Sequence, residues 1–341
     1  MNIALDAMGH DDGPDQLLQG AALALREFPE IGALFLTGDT PQLETGLKRL
    51  GCTDSRIRII HTTQVVEMHD SGLDAVRKKK DSSVSRAVDL VKEGKAAAIV
   101  SAGNTGAAVA AATIKLRMLP GIERPAIAAT MPTESGGHFL LCDAGANPDP
   151  TPEQLEDNAI MALAYCRHVL GQQNPKAGLL SNGTEEFKGN DLTLAAHALI
   201  KNCGVNFHGN VEGHDLFEGA VDVVVTDGFT GNIVLKTSES LAKAMFRMLK
   251  RELMSTVIRK AGALLCKPAF KAVHAVTNAD EYGGMPLLGV NGVCIIAHGG
   301  SSPIAVKNAI RMAVRSIQHQ VNPHIVQEVA RYHRAAAASA P

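Results

Sequence analysis

The stretch "AAAIVSAGNTGAAVAAATIKL", residues 96–116, decides the fold. Its first residues form a continuous apolar run, as expected of a strand covered on both faces. Ser101 to Gly106 make a polar, glycine-bearing turn, and an alanine-rich helical pattern follows. A strand turned directly into a helix is the repeating unit of α/β folds. The turn itself has two readings. Its glycines bring helix and strand backbones close together, or its free N–H groups hold an anion at the helix N-terminus, where the macrodipole helps.

The same alternation runs through nearly all 341 residues. Strand-like runs include "NIALDA", "ALFLTG", "RIRIIHT", "PAIAATM", "HFLLCDA", "KAGLLS", "GVNFHGN", "VDVVVTDG" and "GVCIIAHG". Amphipathic stretches at 82–94, 151–170, 190–202 and 302–319 predict helices between them. This pattern gives an α/β fold with a largely parallel sheet, whose polar strand ends one mouth could collect. No low-complexity linker divides the chain, so residues 1–334 read as one two-lobed unit sharing a sheet. Residues 335–341, "AAAASAP", read as a flexible tail.

Composition narrows the function. A net charge of −2 argues against a surface built wholly for nucleic acid. The six cysteines are scattered without a C-x-x-C pair, which suits free thiols in a reducing compartment. The histidines show no zinc-binding spacing, and no metal is expected. No G-x-G-x-x-G follows the first strand, there is no P-loop, and no serine sits in a G-x-S-x-G elbow. The start "MNIALDAMG" lacks a basic leader region, and the uncharged run at 96–114 is too broken by polar residues for a membrane span. A cytoplasmic location follows.

The opening turn has an echo. "IVSAGNTGA" (99–107) and "VVTDGFTGN" (224–232) share Gly-x-Thr-Gly after a β-branched pair and a hydroxyl residue. Both carry an asparagine, Asn104 and Asn232, and Lys236 follows the second one helical turn later. Further polar groups end other strand runs: Asp143, Asn147 and Asp149; Glu185, Glu186 and Lys188; and His298 before Gly299-Gly300-Ser301-Ser302. "HDD" at 10–12 reads more simply as a solvated turn than as a ligand trio. Residues 243–271 hold Lys243, Arg247, Lys250, Arg251, Arg259, Lys260, Lys267 and Lys271 against one acid, Glu252. Their apolar residues recur at helical spacing. The region is either a packed helix with a solvated basic face, or a contact for an acidic partner or an anionic membrane. The basic run Arg77-Lys78-Lys79-Lys80 could serve the same acidic partner or a phosphate.

Taken in order, "LDAMG", "KKDSSVSRA", "SAGNTGA", "CDAGAN", "EEFKGND", "VEGHDLF", "DGFTGNIVLKTSE" and "EYGGMPLLGVNG" resemble the bacterial acyl-ACP:phosphate acyltransferase family over almost the whole chain. The chain departs from that family's pattern at Gly9-His10-Asp11-Asp12, at Ser181-Asn182-Gly183 and at His214. The resemblance implies a three-layer α/β/α sandwich like that of isocitrate and isopropylmalate dehydrogenases, working as a homodimer. It implies transfer of a fatty acyl group from acyl carrier protein to inorganic phosphate without a cofactor. It also implies peripheral membrane association and delivery of acyl-phosphate to a membrane glycerol-3-phosphate acyltransferase for phospholipid synthesis.

Site roles follow as expectations. Asn104, Thr105 and Gly106 of the opening turn, with Lys236, would bind phosphate; Lys188 is a second candidate lysine. Asn232 or His298 would stabilise the oxyanion or protonate the leaving thiolate, and Asp227 joins this catalytic set. Lys243, Arg247, Lys250, Arg251, Arg259 and Lys260 would meet acyl carrier protein or the membrane. Two other classes compete: an NAD-linked, metal-dependent dehydrogenase on the same fold, and a non-catalytic lipid or carrier-protein adaptor.

Overall fold

The computed structural model describes residues 1–339. Its strands are β1 (Asn2–Asp6), β2 (Ala33–Gly38), β3 (Ile57–His61), β4 (Ala98–Ser101), β5 (Ala126–Pro132) and β6 (His138–Cys142). Then come β7 (Ala177–Leu180), β8 (Phe207–Val211), β9 (Val223–Val225), β10 (Met285–Leu288) and β11 (Val293–Ile296). The first helices are α1 (Asp15–Glu27), α2 (Thr40–Arg49), α3 (Gly72–Lys78), α4 (Ser83–Lys92), α5 (Thr105–Leu116), α6 (Pro152–His168) and α7 (Asp191–Cys203). They are followed by α8 (Asp215–Glu218), α9 (Gly228–Leu253), α10 (Val257–Leu265), α11 (Lys267–Thr277), α12 (Ala279–Tyr282), α13 (Pro303–Gln318) and α14 (Val321–Ser339). The expected tail therefore overlaps the end of α14, and its last residues, 340–341, lie outside the described ones.

All eleven strands join one sheet in the order β3-β2-β1-β4-β11-β10-β5-β6-β9-β7-β8. Alternation along the strands feeds two cores. Ile3, Leu5, Val100, Leu140 and Val225 face one side, with Leu18 of α1, Ile160 of α6 and Ile310 of α13. Ala4, Ile99, Leu141, Val224 and Ile296 face the other, with Val88 of α4, Ala111 of α5 and Leu235 of α9. Helices thus cover both faces, and the three-layer arrangement expected from the apolar runs is present.

Two features depart from expectation. The strand β10 was not among the expected ones, because its Pro286 removes a ladder donor and reads as a strand breaker. It lies antiparallel between β11 and β5, and β5 is in turn antiparallel to β6. Three antiparallel pairings in a row reverse the chain's sense. The parallel block β3-β2-β1-β4-β11 therefore runs opposite to the parallel block β6-β9-β7-β8. The polar strand ends do not share one mouth.

Candidate active site

What reunites the two blocks is α9. At 26 residues it is about 39 Å long, and it carries its own side chains back to the end of β11. There His298 sits between two of them. Its Nδ1 is 3.2 Å from Lys236 Nζ, and its Nε2 is 3.1 Å from Glu239 Oε1. Lys236 Nζ also lies 3.7 Å from Glu239 Oε2, three residues along the same helix face. Burial pushes the Glu239 carboxyl up, but His298, Lys236 and Lys243 outweigh it and hold the group below the usual glutamate value. An ionised Glu239 accepts from Nε2–H, which leaves the Nδ1 lone pair to accept from the ammonium.

These groups line a cavity of about 610 Å³ with Asp11, Met68, Lys243 and Ser301. In the segment His10-Asp11-Asp12 both aspartates are exposed, as in a solvated turn, while His10 and the Asp11 backbone are docked. Asp11 N–H donates to Gly299 O at 3.0 Å, and a Cβ at Gly299 would stand 2.6 Å from the Asp11 carboxylate. His10 is buried; its Nδ1 accepts from Asp12 N–H, so Nε2 carries the proton to Ser301 O at 3.1 Å. The histidine at this departure from the family pattern therefore pins the loop to the turn after β11.

Met68 reaches the cavity from a loop that Asn104 fastens. The Asn104 Nδ2 group donates to the carbonyls of Glu67, Met68 and Asp70 at 2.9–3.1 Å. Its Oδ1 accepts Ala107 N–H at 2.9 Å and caps α5. Asn104 is thus fully committed to its own chain and holds the cavity wall. Lys79 of the basic run helps, bonding Val65 O at 2.9 Å and Asp70 at 2.6 Å. Thr105 and Gly106 open α5, and their N–H groups have no partner among the described residues.

The glycine turns of the two echoed segments make close backbone contacts. A Cβ at Gly231 would fall 1.9 Å from Asp143 O, and one at Gly228 2.6 Å from Asn147 O. Gly103 approaches Gly9, and a Cβ at Gly72 would meet Gly106 at 2.4 Å. Asp143 builds the loop that α9 needs: its buried carboxylate accepts N–H groups of Ile127, Gly145, Ala146 and Asn147.

The remaining expected residues stand elsewhere. Asp227 caps α9 by accepting Thr230 N–H at 2.7 Å. It lines a separate cavity of about 480 Å³ with Ser181, Asn182, Asn190 and Thr193. Lys188 lies in the loop beside that cavity, with its Nζ over the Phe187 ring. Asn232 is exposed and faces Gly145. None of the three lines the His298 cavity. Glu239, Asp11 and Met68 were not expected there. Glu239 had a signal in its spacing of three from Lys236, and Asp11 in the "HDD" run that reads as a solvated turn.

The basic region is not a single helix, and its middle part is not buried. It spans the end of α9, α10 and α11, and α10 buries none of its side chains. Val257, Ile258 and Leu265 are more than four-fifths exposed, at 82%, 86% and 83%. Arg251 and Arg259 share Glu252. Cys266 is exposed there, while Cys142, Cys166, Cys203 and Cys294 are buried free thiols. No helix among the described residues is long and apolar enough to cross a membrane.

Comparison with known proteins agrees with this architecture. The phosphotransacetylase of Streptococcus pyogenes superposes with a TM-score of 0.62 at 20% identity, covering 93% of this chain and 94% of that one. A branched-chain phosphotransacylase from Enterococcus faecalis gives 0.59 at 15% identity, covering 94% and 99%. In sequence, the phosphate acyltransferase of Akkermansia muciniphila is 50% identical over 337 residues, 97% of this chain and 96% of that protein. That of Pelobacter propionicus is 48% identical over 333 residues, 98% and 95%. Residues 1–324 match the family described as fatty acid synthesis protein. With that match and relatives near half identity along the whole chain, this protein belongs to the fatty acid synthesis family whose members include the phosphate acyltransferases.

Proposed function

We propose that the chain moves a long-chain fatty acyl group from acyl carrier protein to inorganic phosphate, giving acyl-phosphate for phospholipid synthesis. The observation that carries this reading is the Lys236–His298–Glu239 cluster in a polar cavity, in a chain of this family. Inorganic phosphate, with a second pKa of about 6–7, is already substantially dianionic at neutral pH, so it needs no strong base. The ammonium of Lys236 has three donors; the one that meets His298 in the absence of substrate turns with the others to phosphate when the anion binds. The N–H groups of Thr105 and Gly106 at the start of α5 lie outside the lining of this cavity, so Lys236 is the phosphate ligand of this reading.

The phosphate oxygen attacks the thioester carbonyl carbon, the carbon–oxygen bond forms and the carbon–sulfur bond breaks. The proton of HPO₄²⁻ passes to His298 Nδ1, freed as Lys236 turns to the anion, and then to the departing thiolate. Glu239 holds the imidazole for both transfers. Holding the two substrates in one cavity supplies the rest of the acceleration. The basic, apolar arm of α9–α11 is assigned to acyl carrier protein and to an anionic membrane, and the working unit to a homodimer.

The test is incubation with long-chain acyl carrier protein and phosphate, with acyl-phosphate trapped by hydroxylamine. His298→Ala and Lys236→Ala are each expected to lower kcat on the order of 10²–10³-fold. Product formation that depends on a nicotinamide cofactor, or unchanged kcat in both variants, would sink the proposal.

A further inference from the structure

Two cavities meet along α9, one on each side. Lys236, Ser240 and Lys243 face the polar one. Leu235, Ser238 and Met245, spaced by three and then seven residues, face a second cavity of about 340 Å³. Glu239, Ala242 and Thr277 line both. The second cavity closes against Met131 and Pro132 at the end of β5, Phe217 of α8 and Tyr282 of α12. Its floor is buried, with Leu235 and Met131 at 4% and 5% exposure, whereas Leu241 and Met245 at its mouth are 59% and 61% exposed.

We propose that this second cavity is the seat of the acyl chain. The inference rests on reading the Lys236–His298 cavity as the place of acyl transfer. A carbonyl seated beside His298 has its alkyl tail on the far side of Glu239 and Ala242, where the lining turns apolar. A groove with a buried apolar floor and uncovered apolar lips suits a ligand that is itself apolar along its length. A different apolar groove lies under the arm, between Phe246, Leu253 and Phe270. It shares only Lys243 and Phe246 with the polar cavity, further along α9 from His298 than Glu239 is, so it is the weaker continuation. The size of the groove then sets the chain length the enzyme prefers. Ser238 and Met245 become specificity-determining positions.

Each buried methylene contributes about fourfold to binding, so filling the groove discriminates strongly by length. Ser238→Phe and Met245→Trp are made in the full chain and their folding is checked by melting temperature. Acyl-phosphate formation is compared with long-chain and short-chain acyl carrier protein, alongside binding of a long-chain fluorescent fatty acid. The expected result is a fall of at least about tenfold in the ratio of long-chain to short-chain kcat/KM, with matching loss of probe affinity. An unchanged ratio and unchanged probe binding in folded variants would overturn the proposal. So would a shifted ratio in Leu253→Trp alone, or a change only in oligomeric state, which would make the groove an interface between copies. If the parent protein makes no acyl-phosphate from any donor yet the variants lose the probe, the groove stands and the transfer reading falls.

Discussion

Glu239 binds Lys236 and His298 into one unit, and its ionisation fixes which imidazole nitrogen carries the proton. Replacing it by glutamine keeps the shape and removes the charge. Glu239→Gln is expected to lower kcat on the order of 10²-fold with little change in KM for phosphate, since it acts through His298. Unchanged kcat would make the carboxylate structural only. Stability gives a second readout. The carboxyl titrates below its ordinary 4.5 in the folded protein, so its contribution is present above that value and is lost as pH falls through the lower folded one. The melting-temperature advantage of the parent over Glu239→Gln should vanish in that acid window. Lys236 was legible as a candidate because it follows a glycine-bearing turn, and His298 because it ends a strand run before Gly299-Gly300. Their meeting was not, because one sits about two turns into α9 and the other ends β11.

The contact between α6 and α14 shows the opposite electrostatic sign. Asp157 of α6 is buried, and His333 Nε2 of α14 lies 2.8 Å from its Oδ1. Burial dominates, Glu156 and Glu123 add to it, and the partial relief from His333 leaves the carboxyl pushed up to about 6. The folded protein therefore takes up this proton at higher pH than the unfolded chain, whose value is near 3.8. This group favours the folded state fully below 3.8, and that favour is lost as pH rises to about 6. Asp157→Asn abolishes the titration. Its melting temperature relative to the parent should be higher above pH 6 than below pH 4, and a difference independent of pH would reject the assignment. At this scale most of the structure was legible. The expected helices at 82–94, 151–170, 190–202 and 302–319 correspond to α4, α6, α7 and α13. Periodicity does not report pairing partners, however, so neither the docking of α14 on α6 nor the place of β10 could be read from it.

The reversed sense of the two parallel blocks explains why the strand-end residues divide into separate cavities, and why a long α9 is needed to rejoin part of them. It also leaves the far end of α9, with α10 and α11, standing clear of the sheet's core. Natural surfaces rarely leave Val257, Ile258, Leu264 and Leu265 all uncovered unless something meets them. The basic residues interleaved with them make an anionic partner the consistent one. Long-range attraction of this kind is screened beyond about 8–10 Å at physiological salt, so its signature is salt dependence. The double charge reversal Arg251→Glu with Lys260→Glu leaves the His298 cavity untouched. At low salt it should raise KM for acyl carrier protein, or weaken binding to anionic vesicles, on the order of tenfold or more. The difference from the parent should shrink as salt is added, while kcat at saturating donor stays the same. A rise in KM alone assigns the arm to the carrier protein, and loss of vesicle binding alone assigns it to the membrane. If neither quantity moves at low salt, the basic residues are a solvated rim and only the apolar tip of α10 remains to be explained.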